Sequence, residues 1–182
     1  EITGGAVILE AGSTIDVSGE TGGRVLVGGD FHGAGPLANA ESVFVADGAA
    51  IRADGTDGDG GEVAVWSDGT TAFHGLITAT GGGDGDGGFV EVSGKRHLVF
   101  DGTVDTTAEN GTTGPLLLDP TNATIIDGGG GADDGEVADG TVNGADGGGA
   151  DFTISEAALE GIAATTNIIV EALENLTIED LS

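Results

Sequence analysis

The chain has no cysteine and no methionine, and only four of its 182 residues are lysine or arginine. The absence of cysteine excludes disulfide bonds and thiolate metal sites. Four cationic side chains cannot neutralise a run of phosphates, so we expect no nucleic acid partner. No apolar run approaches the ~20 residues that a membrane-spanning helix needs, so we expect no membrane insertion.

Acidic residues and glycine dominate instead. The 32 aspartates and glutamates give a formal charge of −28, and 38 residues are glycine, while aromatic residues make up 4%. Such a composition is common in disordered chains. Here, however, the valines and isoleucines stand in short alternating runs, and that pattern favours strands with one buried and one solvated face.

One short element recurs along the chain: a small or turn residue followed by two apolar residues at positions i and i+2. Its leading residues follow one another at intervals of 18 to 27 residues, and a second short strand comes after most of them. The leading residues are Val7, Val25, Val43, Val63, Val90 and Leu116. Strands this short are unstable alone, so each is expected to pair in register with the equivalent strand one turn of chain away.

The repeats therefore predict an all-β fold, a right-handed parallel β-helix (solenoid). The interior of such a helix is narrow and suits aliphatic side chains. We expect these residues inside: Val7, Leu9, Val25, Val27, Val43, Val45, Val63, Val65, Val90, Val92, Leu116, Leu118, Ile168 and Val170, with Ile15, Ile51, Ile77 and Val104 facing them.

Two segments interrupt the pattern. Residues 127–151 contain almost nothing but glycine, acids and small residues, which predicts a Gly/Asp-rich loop insertion. Ser155 followed by acids and by Leu159 and Ile162 predicts one short helix near the C-terminus. We interpret residues 1–182 as a single β-helix segment of a longer or polymerising protein, because uncapped terminal strands offer free backbone groups to further strands.

Several segments together resemble the repetitive part of filamentous haemagglutinin-type exoproteins of two-partner secretion. The similar segments are Val17–Gly19, Gly22–Gly33, Gly60–Gly75, Gly87–Lys95, Leu116–Asn122 and residues 154–177. The resemblance implies a right-handed parallel β-helix that passes the outer membrane through a secretion partner. It also implies a secreted protein at the bacterial cell surface or in the extracellular matrix, and it supplies no catalytic residues.

The function expected from this reasoning is structural: an adhesin stalk or an extracellular filament or matrix subunit, and not an enzyme. Self-association end to end or side to side and contact with surface glycans are the expected interactions. Two alternatives stay open. One is a polysaccharide-binding or polysaccharide-cleaving β-helix protein, and the other is a module that assembles only with calcium.

No cofactor is required by this function, and calcium is the one candidate ligand. The Asp-Gly clusters could supply it with oxygens through Asp54, Asp57, Asp59, Asp84 and Asp86. The competing interpretation is a set of solvated turns in which aspartate and glycine supply the turn conformations.

Histidine and aromatic residues are further candidates, for a metal site and for sugar binding respectively. His32 and His74 both stand in Phe-His-Gly, which we interpret as a sign of equivalent positions in two turns of the helix. Nothing in the spacing of the three histidines predicts a convergent metal site. Trp66, Phe73, Phe89 and Phe100 could stack on sugars if exposed, although aromatic residues more often cover a flank of the fold.

Overall fold

The structure, a computed structural model, describes residues 1–126, 151–155, 166–172 and 174–178. Strands make up nearly all of its regular structure, with a single 3₁₀ turn at Phe31–Gly33. The predicted all-β class is confirmed. The predicted helix after Ser155 lies outside the described residues, and so does the predicted loop apart from Asp151, where a strand begins.

The described residues form 15 strands. In chain order they are β1 (Ala6–Leu9), β2 (Thr14–Asp16), β3 (Arg24–Val27), β4 (Ala40–Val45), β5 (Ala50–Arg52), β6 (Glu62–Phe73), β7 (Leu76–Thr78), β8 (Phe89–Gly94), β9 (His97–Phe100), β10 (Thr103–Asp105), β11 (Pro115–Leu118), β12 (Asn122–Ile126), β13 (Asp151–Ser155), β14 (Asn167–Val170) and β15 (Asn175–Ile178).

Parallel pairing arranges these strands in three sheets. The first has eight strands with the order β1-β4-β6-β8-β11-β14, and β3 and β9 pair with opposite ends of the long strand β6. The second sheet has the order β10-β7-β5-β2, and the third has the order β13-β12-β15. Within the first and second sheets, strands that follow each other in the chain are not partners, and in the third sheet the consecutive strands β12 and β13 pair in parallel. Parallel partners have to be reached by a crossover of the chain.

The pairing register places apolar residues of paired strands directly beside one another. One column of the first sheet runs through Val25, Val63, Val90, Leu116 and Ile168. The prediction that successive hydrophobic pairs stack directly is wrong in the N-terminal part. There Val7 of β1 pairs with Val43 of β4, whereas Val25 of β3 pairs with Val63 of β6 and not with a residue of β4. The sequence does not distinguish the two columns, because short strands of different columns carry the same alternating pattern of apolar residues.

The core lies between the first and second sheets and forms one apolar cluster. The predicted core residues from Val7 to Leu118 are all buried, as are Ile51, Ile77 and Val104. Ile15, Ile168 and Val170 are half-buried. The alternation of side chains along each strand explains this success, because it sends every second residue to the same side of the sheet.

Large aromatic residues are also inside, which the sequence interpretation had considered as exposed sugar platforms. Phe73 and Phe100 are fully buried and stack with ring centroids 5.6 Å apart. Trp66 is 2% exposed. Phe89 is half-buried and stacks on Phe31 at 5.1 Å. These positions leave Trp66, Phe73 and Phe100 no face on which a sugar could stack.

Glycine stands where the backbones of successive strands meet at one corner. A Cβ atom at Gly61 would lie 2.0 Å from the carbonyl oxygen of Gly23, and one at Gly88 would lie 2.0 Å from that of Gly61. A Cβ atom at Gly114 would lie 1.9 Å from the carbonyl oxygen of Gly88. No other residue fits at such distances, so the abundance of glycine at these turns is a packing requirement.

Residues 28–39 connect β3 to β4, and we call them the covering loop. The loop crosses the outer face of the first sheet, the face opposite the apolar core. One of its contacts with the sheet is the Trp66 indole, which lies so close that a Cβ atom at Gly29 or Gly33 would fall within 2.7 Å of the indole. The Arg24 guanidinium lies 5.2 Å from the Phe31 ring and binds Asp30 at 2.6 Å, which anchors the start of the loop.

Candidate functional site

The covering loop buries a carboxylate on the outer face of the first sheet. Val90 and Val92 of β8 point into the core, so Glu91 between them points outward. It is nevertheless 0% exposed. Its two oxygens accept hydrogen bonds from the backbone N–H of His32 at 3.2 and 3.0 Å. A residue of the loop thus satisfies the acid that the loop covers.

His32 holds an unusual backbone conformation at this contact. Its φ of 55° makes it the one non-glycine residue with positive φ in the described part of the chain. The left-handed region costs a residue with a Cβ atom about 1–2 kcal/mol. The buried hydrogen bonds to Glu91 offset that cost, and the conformation leaves the imidazole at the surface, where its side chain is 52% exposed.

Two further acids approach the imidazole from the ends of neighbouring strands. Asp119 follows β11 and Glu171 follows β14, and the pairing of Leu118 with Val170 places these two acids side by side. The Glu171 N–H donates to the Leu118 carbonyl at 3.0 Å, which continues the ladder up to the acids. Asp119 Oδ2 lies 3.6 Å from His32 Nδ1. One ligand atom from each of His32, Asp119 and Glu171 lies within 4.8 Å of the others. We call these three residues the His32 cluster.

Burial sets the electrostatics of this region. Burial raises the pKa of the Glu91 carboxyl, while the hydrogen bond from the His32 backbone opposes that change. Burial likewise raises the pKa of Asp119, whose side chain is 4% exposed. His32 opposes the change at Asp119, and the neighbouring Glu171 carboxylate adds to it. For both acids the desolvation of the charged form outweighs the hydrogen bonds and charges that favour it.

No lysine or arginine in the described ranges forms an ion pair with Glu91, Asp119 or Glu171. The guanidinium of Arg24 is bound to Asp30 and Glu62, and Arg96 is bound to Glu41. The Arg24–Glu62 pair joins the adjacent strands β3 and β6. The chemistry that the His32 cluster offers is the chelation of a cation by one imidazole nitrogen and carboxylate oxygens.

The five aspartates predicted as calcium ligands lie elsewhere, in the loops that follow β5 and β7. We call these loops, with the one after β10, the Asp-Gly corner. Asp54 accepts hydrogen bonds from the Thr78 hydroxyl at 2.7 Å and from the Thr80 N–H at 2.9 Å. The first contact joins the loop after β5 to strand β7, and the second joins it to the loop after β7.

Two other predicted ligands form a ladder at the Asp-Gly corner. Asp59 accepts a hydrogen bond from the Asp86 N–H at 2.9 Å, and Asp86 accepts one from the Thr112 N–H at 2.7 Å. The Thr112 contact holds the pKa of Asp86 below its ordinary value of 3.8. Asp57 and Asp84 are exposed in the same loops. In the described residues, no three of the five aspartates converge as the His32 cluster does. Calcium at this corner stays a prediction.

The two Phe-His-Gly motifs are not equivalent in the structure, so that interpretation is wrong. Phe31 and His32 lie in the covering loop, whereas Phe73 ends β6 and pairs with Phe100. His74 Nδ1 lies 3.1 Å from Asp101 Oδ2, and each of the two side chains is 9% exposed. The His74 imidazole is thus largely covered and paired with Asp101, whereas the His32 side chain is 52% exposed.

Sequence reasoning missed Asp119 and Glu171. A usable signal was present, because each acid directly follows an apolar strand that belongs to one repeat family, Leu116–Leu118 and Ile168–Val170. Equivalent positions after equivalent strands come together in a parallel sheet. The position of His32 had no such signal, since it depends on how the covering loop folds back.

Comparison of the chain with models of protein families and with curated proteins finds no match. In the part of the chain that the structure describes, no helix has the length and apolar character needed to cross a membrane. The features of this protein that bear on its function are therefore the strand architecture and the two acidic regions.

Proposed function

We propose that this chain is a segment of a right-handed parallel β-helix with a structural role, as a stalk or filament subunit of a secreted bacterial surface protein. The observation that carries the proposal is the in-register parallel column through Val25, Val63, Val90, Leu116 and Ile168. Parallel strands about 4.8 Å apart, each reached by a crossover, favour a chain that winds along one axis. Crossovers between parallel strands are nearly always right-handed.

Mechanical stiffness is the property that this architecture supplies. The single core runs along both sheets, and the inner strands β4, β5, β7, β8, β11 and β12 each have a hydrogen-bonded neighbour strand on both sides. The terminal strands differ. On β1, Ile8 is 64% exposed, and on β14, Ile169 is 40% exposed. Exposed apolar residues on edge strands favour the addition of further strands, which is how a filament or a longer stalk would continue.

Secretion to the cell surface is the setting that the resemblance to filamentous haemagglutinin-type exoproteins implies. A surface with a formal charge of −28 keeps such rods apart in solution and adds no affinity for nucleic acid. Calcium-dependent assembly and polysaccharide cleavage are the competing functions, and both give different results in the experiments below.

The first experiment is electron microscopy and small-angle scattering of the protein, with and without a chelator. The proposal predicts elongated particles whose form does not change on chelation. A compact sphere would contradict the β-helix, and loss of filaments on chelation would favour calcium-dependent assembly. Release of reducing ends from an acidic polysaccharide would favour the enzyme.

The second experiment tests the terminal strand by analytical ultracentrifugation. Ile8→Lys places a charge on edge strand β1 and should lower the concentration-dependent association. Thr70→Lys makes an added charge on β6, which already has partners on both sides, and should leave association unchanged. Equal association in both variants would show that β1 is not the contact.

A further inference from the structure

We propose that the His32 cluster is a binding site for one divalent transition-metal ion, which ties the covering loop to the ends of β11 and β14. The ligands are His32 Nδ1 and the carboxylates of Asp119 and Glu171, whose ligand atoms lie within 4.8 Å of one another. This inference does not depend on the proposed structural role, because the geometry is local to the covering loop and the first sheet.

The buried member of the cluster is the independent reason to expect a cation. The Asp119 side chain is 4% exposed, and its ion-pair partner in the described residues is His32 Nδ1, at 3.6 Å from Oδ2. The Asp119 backbone N–H donates to Ser93 Oγ, so that contact does not compensate the carboxylate. Burial of a carboxylate is costly when its charge is compensated only by a surface imidazole, and a bound metal ion would supply the missing positive charge.

The donor set selects the class of metal. Calcium takes six to eight oxygen ligands, and an imidazole is a poor substitute for one of them. Zinc and related divalent ions bind imidazole nitrogen and carboxylate oxygen together. Tetrahedral zinc with ligands at about 2.1 Å holds neighbouring donor atoms about 3.4 Å apart. The 3.6 Å between His32 Nδ1 and Asp119 Oδ2 is close to that value.

Glu91 acts here as a positioning residue. Its oxygens accept the His32 backbone N–H at 3.0 and 3.2 Å, so they hold residue 32 in its left-handed conformation. That conformation is what brings the imidazole of the covering loop over the ends of β11 and β14. The metal would then join groups 139 positions apart in the chain, from His32 to Glu171, and so resist opening of the loop.

The test uses the whole chain with Zn²⁺, Mn²⁺, Ca²⁺ and Mg²⁺ as probes, by isothermal titration calorimetry and thermal unfolding. We expect saturable 1:1 binding of Zn²⁺ with a rise in the melting temperature, and no comparable rise with Ca²⁺ or Mg²⁺ at equal concentration. Because the chain is highly acidic, equal stabilisation by all four ions would indicate a diffuse counterion effect and would overturn the proposal, as would the absence of saturable Zn²⁺ binding.

Two variants remove ligands with little risk to folding. His32→Gly suits the positive φ, so the metal-free variant should fold at least as well as the native chain. Glu171→Gln keeps the shape of an exposed side chain. Each should weaken Zn²⁺ binding at least about 100-fold, beyond the ~10–100-fold typical of an outer-shell partner. His97→Asn, which lies in β9, is the matched control and should bind normally. Undiminished Zn²⁺ binding by His32→Gly would overturn the proposal.

Discussion

The His32 region and the Asp-Gly corner contain the same chemical groups in opposite circumstances. At the corner, Asp59 and Asp86 are exposed, and each accepts a backbone N–H from the next loop. Under the covering loop, Glu91 and Asp119 are buried. The pKa of Asp86 is lowered by its donor, and the pKa values of Glu91 and Asp119 are raised by burial.

This difference shows that the density of acids along the sequence is a poor guide to a binding site. At the Asp-Gly corner the next loop brings a backbone N–H donor to Asp59 and to Asp86, so these two carboxylates have a structural role. Where the covering loop buries acids, desolvation disfavours their charged form even though the loop supplies a donor to Glu91, and a nearby positive charge would favour it. Substitutions at three positions, Trp66, Glu91 and Asp86, test this difference between the two regions.

The largest effect should come from Trp66→Ala, which removes the indole between the covering loop and the first sheet. Truncation of a fully buried tryptophan costs about 3–5 kcal/mol of unfolding free energy. Denaturant unfolding measures the loss, and Phe44→Ala, at a position 42% exposed, is a control that should cost less than about 1 kcal/mol. A loss below about 1 kcal/mol for Trp66→Ala would show that the indole does not hold the loop.

A smaller effect of opposite sign is expected from Glu91→Gln. The amide oxygen still accepts the His32 N–H, and the buried charge is gone, so the free energy of unfolding at pH 7 with chelator present should rise by about 1 kcal/mol. Glu91→Ala leaves the His32 N–H without its acceptor and should lower stability by about 1–3 kcal/mol. If both variants lose stability equally, the charge of Glu91 is compensated and the comparison fails.

The smallest effect is expected from Asp86→Asn, the same type of change at the Asp-Gly corner, which should lower stability at pH 7. The folded-state pKa of Asp86 lies below its ordinary value of 3.8, so its stabilisation is present above pH 3.8 and is lost as the pH falls through the folded-state pKa.

Thermal unfolding between pH 2 and 7 measures this pH dependence. The difference between the native chain and Asp86→Asn should shrink as the pH falls below 3.8. Asp84→Asn makes the same charge change in the same loop and is the matched control. A difference that stays constant down to pH 2 would show that the carboxylate charge of Asp86 contributes nothing to the ladder.

Much of the fold could be predicted because its information is local. Alternation within runs such as Val63–Val65 and Val90–Val92 identifies both the strand and its buried face. Register was harder, since Val7, Val25 and Val43 carry one pattern but belong to two columns. The covering loop lengthens the crossover between β3 and β4, and no local signal separates such an insertion from an additional strand.

The candidate site could not be predicted, because its parts meet only after the strands have paired. Glu91 and His32 are 59 residues apart. Asp119 and Glu171 are adjacent only through the pairing of β11 with β14. The spacing of the histidines therefore gave no indication of a metal site at His32. Two of the predicted calcium ligands, Asp59 and Asp86, instead accept hydrogen bonds from the neighbouring loops.

The amino-acid sequence by its own patterns indicates that this protein is built of short strands around a mostly aliphatic core, with glycine at its turns, and that it is strongly acidic. Those properties follow from side-chain alternation, backbone sterics and the count of charges, which need no knowledge of distant contacts. Which acids are exposed and bonded to a neighbouring loop, and which are buried beside the exposed His32 imidazole, depends on the tertiary structure. The reason is that the hydrogen-bond donors and the covering loop come from remote parts of the chain, and burial is what makes a carboxylate here a candidate ligand.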